Sequence, residues 1–332
     1  AAKEIRTSIE KNIGKPREGD FKIDAGQESG ILDKLKSILN LPDSVIPSMV
    51  NIETLTSFLD RGDKNGPVRR MIYRLMSQSE DKKQVMLEKA IKDMNAIMAK
   101  YYTPQELASY KTDKKVAIKG MKEALTKEQI LSMALNWGNH TNRERVMMGY
   151  NLTQESVQDA LSTLDKRDWD FAQDVWNYIN TYWPDIKRLE MKVKGIEPVK
   201  VQAAKVVTKF GVYDGGYYPI AYDFNKSADA HKMNEQRSEL YKQYSAVSAH
   251  TERGHAEARV SRVKRPVRLS LSVMFDHMEN LVHDISYRES VIDVNRLLRE
   301  QDVKVAIQNA VGLKGYLTFD SWLRDIASDQ RQ

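Results

Sequence analysis

The sequence predicts a mainly α-helical protein, an irregular bundle of many helices with a small β element. Apolar residues recur with the 3.6-residue period of helices along most of the chain. Several of these segments open with residue pairs that cap helix N-termini. Alternating β-branched residues occur in two short regions, near 199–222 and 260–273, where the sequence predicts short strands.

Composition limits the class of protein. Hydrophobic residues make up 41% of the 332 residues and charged residues 30%, which is typical of a soluble globular chain. We expect no transmembrane segment, because no run of about 18 apolar residues occurs. The absence of cysteine excludes disulfides and thiolate metal sites. A net charge of +6 permits contact with nucleic acid but does not require it.

The chain divides into three predicted regions. Residues 1–30 are polar and glycine-rich, which predicts an extended arm or linker. Residues 31–125 form a predicted N-terminal helical region, with helices near Ile31–Leu39, Ile52–Leu59 and Lys82–Tyr101. Residues 126–332 form a predicted helical module. Because the chain begins with Ala1 instead of Met, we expect a piece of a longer polypeptide.

Two capping boxes mark helix starts. Thr103 and Glu106 flank a proline that suits the first helical turn, and Thr126 precedes Gln129 at the same spacing. The second box opens a helix with Ile130, Met133, Ala134 and Trp137 on its inner face.

Three tryptophans recur every seven residues. Trp169, Trp176 and Trp183 form a predicted stripe on one helix, with Ala172, Ile179 and Ile186 interleaved at the same spacing. One interpretation is a stacking platform for bases or sugars. We favour burial in the core, because an apolar stripe at helical spacing is normally buried.

The stretch GVYDGGYYPIAYDF, residues 211–224, predicts a rigid turn. We expect Gly215 or Gly216 to adopt a positive φ, and Tyr218 and Pro219 to pack against the tryptophan helix. Asp214 and Asp223 flank the turn as a candidate acid pair, but aspartates at turns commonly bond backbone amides instead.

After the turn, the spacing predicts a helix over Lys232–Tyr244, a long helix over Phe275–Glu300 and a final pair of short helices ending at Ser328.

Catalytic and metal motifs are not evident in the sequence. The six histidines do not show the HExxH spacing, and phosphate-binding and nucleophile-elbow motifs do not occur. We therefore predict no cofactor and no metal. A hydrolase remains an alternative, with Asp214, Asp223, His250 and His255 as its candidate residues.

A basic stretch raises a second alternative, a nucleic-acid-binding module. Its candidate contacts are Arg259, Arg262, Lys264, Arg265 and Arg268. Tyr217, Tyr218 and Tyr222 would line the same groove. We favour an exposed polar strand face, balanced by Glu252 and Glu257, because the net charge is modest.

Four stretches together carry a resemblance. They are LTKEQILSMALNWGNHTNRERVMMGY, DWDFAQDVWNYINTYWPDIKRLE, GVYDGGYYPIAYD and RLSLSVMFDHMENLVHDISYRESVIDVNRLL, in this order. In this order they resemble a segment of the very large polyvalent proteins of tailed phages and related mobile elements. Some of those proteins are ejected into the host with the genome, including proteins fused to virion RNA polymerases. The likeness covers roughly Gly120 to Ala327.

The resemblance implies a structural and assembly module of an ejected internal virion protein that takes part in genome delivery. Its partners would be other copies or other ejected virion proteins, with phage DNA as a further partner. Its location would be the capsid interior and, after ejection, the host cell envelope or cytoplasm. The residues that match the pattern are implied to define the fold: Asn136, Gly138, Asn139, Asn142 and Arg143, then Trp169, Trp176 and Trp183, then Gly215, Gly216, Tyr218, Pro219 and Asp223.

Overall fold

The computed structural model describes residues 1–13, 52–112, 115–223 and 266–328, and most of these are helical. The predicted class, mainly α with a small β element, is confirmed. The helices are α1 (Ala2–Ile13), α2 (Ile52–Leu59), α3 (Arg74–Tyr101), α4 (Pro104–Thr112), α5 (Lys127–Asn136), α6 (His140–Tyr150), α7 (Gln154–Ser162), α8 (Lys166–Asn180), α9 (Trp183–Lys194), α10 (Ser272–Arg299) and α11 (Gln301–Ser328). A π-helical turn, Arg69–Tyr73, leads into α3.

The β element is one antiparallel hairpin, β1 (Val206–Thr208) and β2 (Gly211–Tyr213), with Val207 opposite Val212. In the second region predicted to be extended, the described residues begin at 266 and form a single bridge, Tyr222 to Val267. The N–H of Asp223 donates to the carbonyl of Pro266. Pro266 has no N–H with which to continue a ladder.

Internal contacts group the described residues into two compact units. The first contains residues 1–13, 52–83 and 286–328, and the second contains residues 84–223 and 266–285. Both boundaries fall inside a helix, α3 and α10. This grouping differs from the predicted contiguous regions 31–125 and 126–332, because residues from both ends of the chain belong to the first unit.

Of the extended arm predicted over residues 1–30, the structure describes residues 1–13, and there it corrects the prediction; residues 14–30 lie outside the described residues. Residues 2–13 are helical, and α1 packs on α11. Ile5 and Ile9 lie one turn apart on α1 and are fully buried, in one core with Val303 and Ile307. Arg6 adds an ion pair to Asp302 at 2.6 Å. Two isoleucines in a polar segment are enough to stabilise a short helix when a partner helix supplies the rest of the core.

The second unit is built around α5, whose residues 130–136 are all buried. A helix that is enclosed on every side occupies the centre of its core, and α4, α6, α7 and α8 all contact α5. Both predicted capping boxes are present. Thr126 and Gln129 bond each other's backbone N–H groups at the start of α5, as do Thr103 and Glu106 at the start of α4.

The tryptophan stripe is divided between two helices. Trp169 and Trp176 lie on α8 and are buried, as predicted, whereas Trp183 begins α9 and is partly exposed. The prediction of one continuous helix is therefore wrong at Trp183. Pro184 lacks the N–H that would donate to the carbonyl of Asn180, so the helix ends and a new one begins.

The C-terminal helices follow the prediction closely. The long helix predicted over Phe275–Glu300 is α10, which begins three residues earlier. Gly312, with φ 76° and ψ 172°, divides α11 into two helical pieces, in agreement with the predicted pair of short helices. The helices predicted near Ile31–Leu39 and Lys232–Tyr244 lie outside the described residues. None of the helices within the described ranges is both long and apolar enough to cross a membrane.

Candidate functional site

Seven of the residues that carry the resemblance meet at one place in the second unit. The loop between α5 and α6 contacts the Gly-Tyr turn, and both lie against Trp176 of α8. We call this set the latch, and it consists of Asn136, Gly138, Asn139, Asn142, Gly215, Gly216 and Tyr218.

The carbonyl oxygen of Gly138 joins three segments of the chain. It accepts the N–H of Ala204 at 2.8 Å and the N–H of Gly216 at 2.8 Å. The next residue, Asn139, forms a bridge with Ala203. One buried carbonyl therefore uses both of its lone pairs to fix the strand-like segment before β1 and the turn after β2.

Three glycines allow these segments to approach closely. A Cβ at Gly138 would lie 2.5 Å from Cε2 of Trp176, and a Cβ at Gly216 would lie 2.5 Å from Cβ of the same tryptophan. Gly215 has φ 76°, which confirms the predicted positive φ in this pair. A Cβ there would lie 2.3 Å from the carbonyl oxygen of Ala204. Lack of space requires glycine at all three positions, Gly138 in the α5–α6 loop and Gly215 and Gly216 in the turn, and Gly215 is also required for its backbone conformation.

Three buried asparagines complete the latch. Asn139 caps α6 by accepting the N–H of Asn142 at 2.9 Å, and its amide donates to Gly216 at 3.2 Å. Asn142 donates both to the side-chain oxygen of Asn136 at 3.1 Å and to the carbonyl of Tyr218 at 2.8 Å. Each side chain bonds groups in the protein, as buried polar groups must to offset their lost hydration.

Arg143 closes the latch from the outside. Its Nε donates to the carbonyl of Trp137 at 2.6 Å, and its guanidinium also donates to the carbonyls of Ala204 and Lys205 at 3.1 and 2.9 Å. Burial lowers the pKa of Arg143 from its ordinary value. Arg143 matches the pattern of the resemblance. Its three hydrogen bonds to backbone carbonyls could not be predicted from sequence spacing, because the fold brings those carbonyls together.

Tyr218 is fully buried and shares the core of the second unit with Trp169 and Trp176. Its hydroxyl donates to the carbonyl of Ser270 at 3.4 Å, and burial raises its pKa. Pro219 is also buried. The side chains of the turn thus serve the interior of the unit.

The candidate acid pair has two different sets of neighbours. Asp214 is exposed, and its N–H donates to the side chain of Gln173 at 2.8 Å. Asp223 lies near Tyr150. The burial of Tyr150 is the main cause that raises the pKa of its phenol, and the negative charge of Asp223 raises it further. His250 and His255 lie outside the described residues. Within the described residues, no cluster of three or more histidines and acidic side chains is arranged to hold a metal ion.

The nucleic-acid candidates are only partly within the described residues, because Arg259, Arg262, Lys264 and Arg265 lie outside them. Arg268 is ion-paired to Asp276 and donates to Ser272 at 2.8 Å. Of the three tyrosines proposed for the groove, Tyr218 cannot stack on a base because it is fully buried, which corrects that prediction. The hydroxyl of Tyr222 accepts a hydrogen bond from the guanidinium of Arg145. The ring centroid of Tyr217 lies 5.7 Å from that of His277.

An ion pair with a buried carboxylate lies at the N-terminus of α8 and was not predicted from the sequence. Asp168 is fully buried, lies 3.0 Å from the ammonium of Lys127 and accepts the hydroxyl of Tyr102 at 2.8 Å. Burial alone would lower the pKa of Lys127, but its interactions with Asp168 and Tyr110 together raise the pKa. Asp168 also completes a capping box with Asp165, and this spacing was the one signal that could have drawn attention to it.

Comparison of this chain with protein-family models, curated proteins and solved structures finds no match.

Proposed function

We propose that this chain is a structural and assembly module of a large internal virion protein of a tailed phage, ejected with the genome. The latch is the observation that supports this proposal. The residues of the latch bond backbone groups or fill the core, which supports a role in holding the fold. A module that transmits force or maintains spacing in a long polypeptide needs such fixed internal connections.

The proposed partners are other copies of the chain or other ejected virion proteins. The proposed location is the capsid interior, followed by the host envelope or cytoplasm after ejection. The nucleic-acid alternative loses Tyr218 to the core, and Arg268 has a carboxylate partner in Asp276. The hydrolase alternative has Asp214 and Asp223 in different surroundings, so neither alternative gains support.

The test is peptide mapping of purified virions before and after DNA ejection triggered in vitro. We expect peptides of this chain in intact particles, within a larger polypeptide, and their loss from emptied particles. Peptides of the major capsid protein are the matched control and should remain in both samples. Detection only in infected-cell lysate, or equal amounts before and after ejection, would contradict the proposal.

A further inference from the structure

Exposed apolar side chains are concentrated on the β hairpin and on the segment that leads to it. Of the eleven large hydrophobic side chains exposed in the described ranges, six lie between residues 191 and 212. They are Met191, Ile196, Val199, Val207, Phe210 and Val212. We call the last three, together with Lys205 and Lys209, the hairpin tip.

The strand register explains why these side chains face water. Val207 and Val212 form a cross-strand pair on the outer face and are 79% and 60% exposed. On the inner face, Val206 is buried and Tyr213 stacks on Trp169 with ring centroids 5.8 Å apart. The hairpin is therefore apolar on both faces, whereas a sheet with one solvated face normally carries polar residues there.

The charge around these side chains is positive. Residues 191–214 contain five lysines against two acidic residues, Glu197 and Asp214, and Glu197 is paired with Lys187. Lys209 donates to the carbonyl of Ser162 at 3.2 Å, and Lys200 donates to the side chain of Asn180, so both meet neutral oxygens. Lys205 is exposed. The surface thus combines apolar side chains with positive charge that these neutral oxygens do not offset.

We infer that the hairpin tip docks on a bilayer surface that contains anionic head groups. The lysines would bind lipid phosphates while Val207, Phe210 and Val212 enter the interface, where apolar burial and electrostatic attraction add together. This inference rests on the side chains of the hairpin and is independent of the proposed function.

The size and chemistry of the tip favour a lipid surface over a macromolecule. Three-residue strands and three apolar side chains fall far below the roughly 800 Å² per partner that a stable protein interface buries. Binding of single-stranded nucleic acid relies on several bases stacking on successive aromatic faces, and the tip has one exposed aromatic, Phe210, beside two valines. A bilayer needs no matching contour, so a small apolar tip can attach reversibly when its lysines add electrostatic attraction.

The experiment measures sedimentation of the full chain with vesicles of phosphatidylcholine alone or mixed equally with phosphatidylglycerol. We expect binding only to the mixed vesicles, weakened by salt. Lys205→Glu/Lys209→Glu should weaken partitioning at least about 20-fold, because the loss of each lysine alone costs about five-fold and the new carboxylates add repulsion. Lys119→Glu/Lys122→Glu changes the net charge equally on exposed lysines elsewhere and should have a much smaller effect.

The apolar side chains are tested in the same assay. Val207→Ser/Val212→Ser should also weaken binding, whereas Val85→Ser/Val305→Ser, at other exposed valines, should not.

A second measurement reports insertion directly. The chain has no cysteine, so Val207→Cys can carry a single environment-sensitive fluorophore, with Val85→Cys as the matched control. Emission should shift to the blue with mixed vesicles for the label at 207 only. Three results would overturn the inference: no binding to mixed vesicles at low salt, equal binding by the tip and control variants, or a label at 207 that stays in water while the chain binds. A label already buried without vesicles would overturn it too, because a second copy or another segment of the chain would then cover the tip.

Discussion

Gly215 shows how a single position can be fixed by two independent requirements. Its φ of 76° costs a residue with a side chain about 1–2 kcal/mol, and a Cβ would also collide with the carbonyl oxygen of Ala204. Gly195 has a similar φ of 70° but no atom within 4 Å of its Cβ position. The two glycines thus separate backbone strain from lack of space.

We expect Gly195→Ala to lower the free energy of unfolding by about 1–2 kcal/mol. Gly215→Ala should lower it further, by about 1–3 kcal/mol more, because the carbonyl oxygens around it must move. Denaturant unfolding of both variants and the parent chain measures the difference. Equal losses would show that the close approach at Gly215 contributes nothing.

Asn142 offers a second test within the latch. Asn142→Ala leaves the carbonyl of Tyr218 and the side-chain oxygen of Asn136 without this donor in a buried site, which should cost about 2–3 kcal/mol. Asn177→Ala removes an exposed amide that bonds Gln173, and we expect less than about 0.5 kcal/mol. Thermal unfolding of the two variants compares them, and a similar loss in both would argue against the latch.

Helix starts were the features most readily predicted from sequence, because capping is decided within four residues. Thr126 and Gln129 satisfy each other's N–H groups whatever surrounds them. The end of α8 was missed because the helical spacing of apolar residues continues through Trp183. That spacing takes no account of the N–H that Pro184 lacks. The helical state of residues 2–13 was missed because it depends on α11, almost 300 residues away in sequence.

The candidate site was predicted only in part, for the same physical reason. Paired glycines indicate a turn, and Gly215 has the expected conformation. The partner of that turn, the carbonyl of Gly138, could not be read from spacing, because backbone carbonyls are present at every residue. The resemblance placed the two motifs in order without indicating that they touch.

The N-terminus of α8 depends on a buried charge pair, which makes it sensitive to neutralisation. Asp168→Asn leaves the partly exposed ammonium of Lys127 without its buried carboxylate, and we expect a loss of about 2–3 kcal/mol. Asp93→Asn breaks the exposed pair with Lys89 on α3 and should cost about 0.5 kcal/mol or less. Unfolding of both variants in denaturant checks the contrast. Comparable losses would mean that the buried pair is no stronger than a surface pair.

Across the whole chain, buried tyrosines make stability depend on alkaline pH. Burial raises the pKa of Tyr102, Tyr150, Tyr178 and Tyr218, and it raises that of Tyr213 to about 12. A group whose pKa is raised in the folded state contributes stability fully below its unfolded pKa, about 10 for tyrosine, and loses it as pH rises further. The melting temperature should therefore fall steadily above about pH 10.

Tyr218→Phe keeps the buried ring and removes the titrating hydroxyl. We expect this variant to lose less stability between pH 9 and pH 11.5 than the parent chain, as measured by thermal melts across that range. Absorbance at 295 nm should show tyrosines that ionise only as the chain unfolds. A pH dependence identical in the variant and the parent would exclude Tyr218 from the effect.

The latch also has a consequence for the order of events in folding. Asn142 bonds Tyr218 76 residues further along the chain, and Arg143 bonds Ala204 61 residues further along. Closing a loop of this length costs conformational entropy before the contacts at its ends form. We therefore expect the local helices and their pairing to form first, and the latch to form after the transition state. Asn142→Ala should then accelerate unfolding and leave the refolding rate almost unchanged in stopped-flow experiments. The lifetime of the native state is then determined by the contacts that form last.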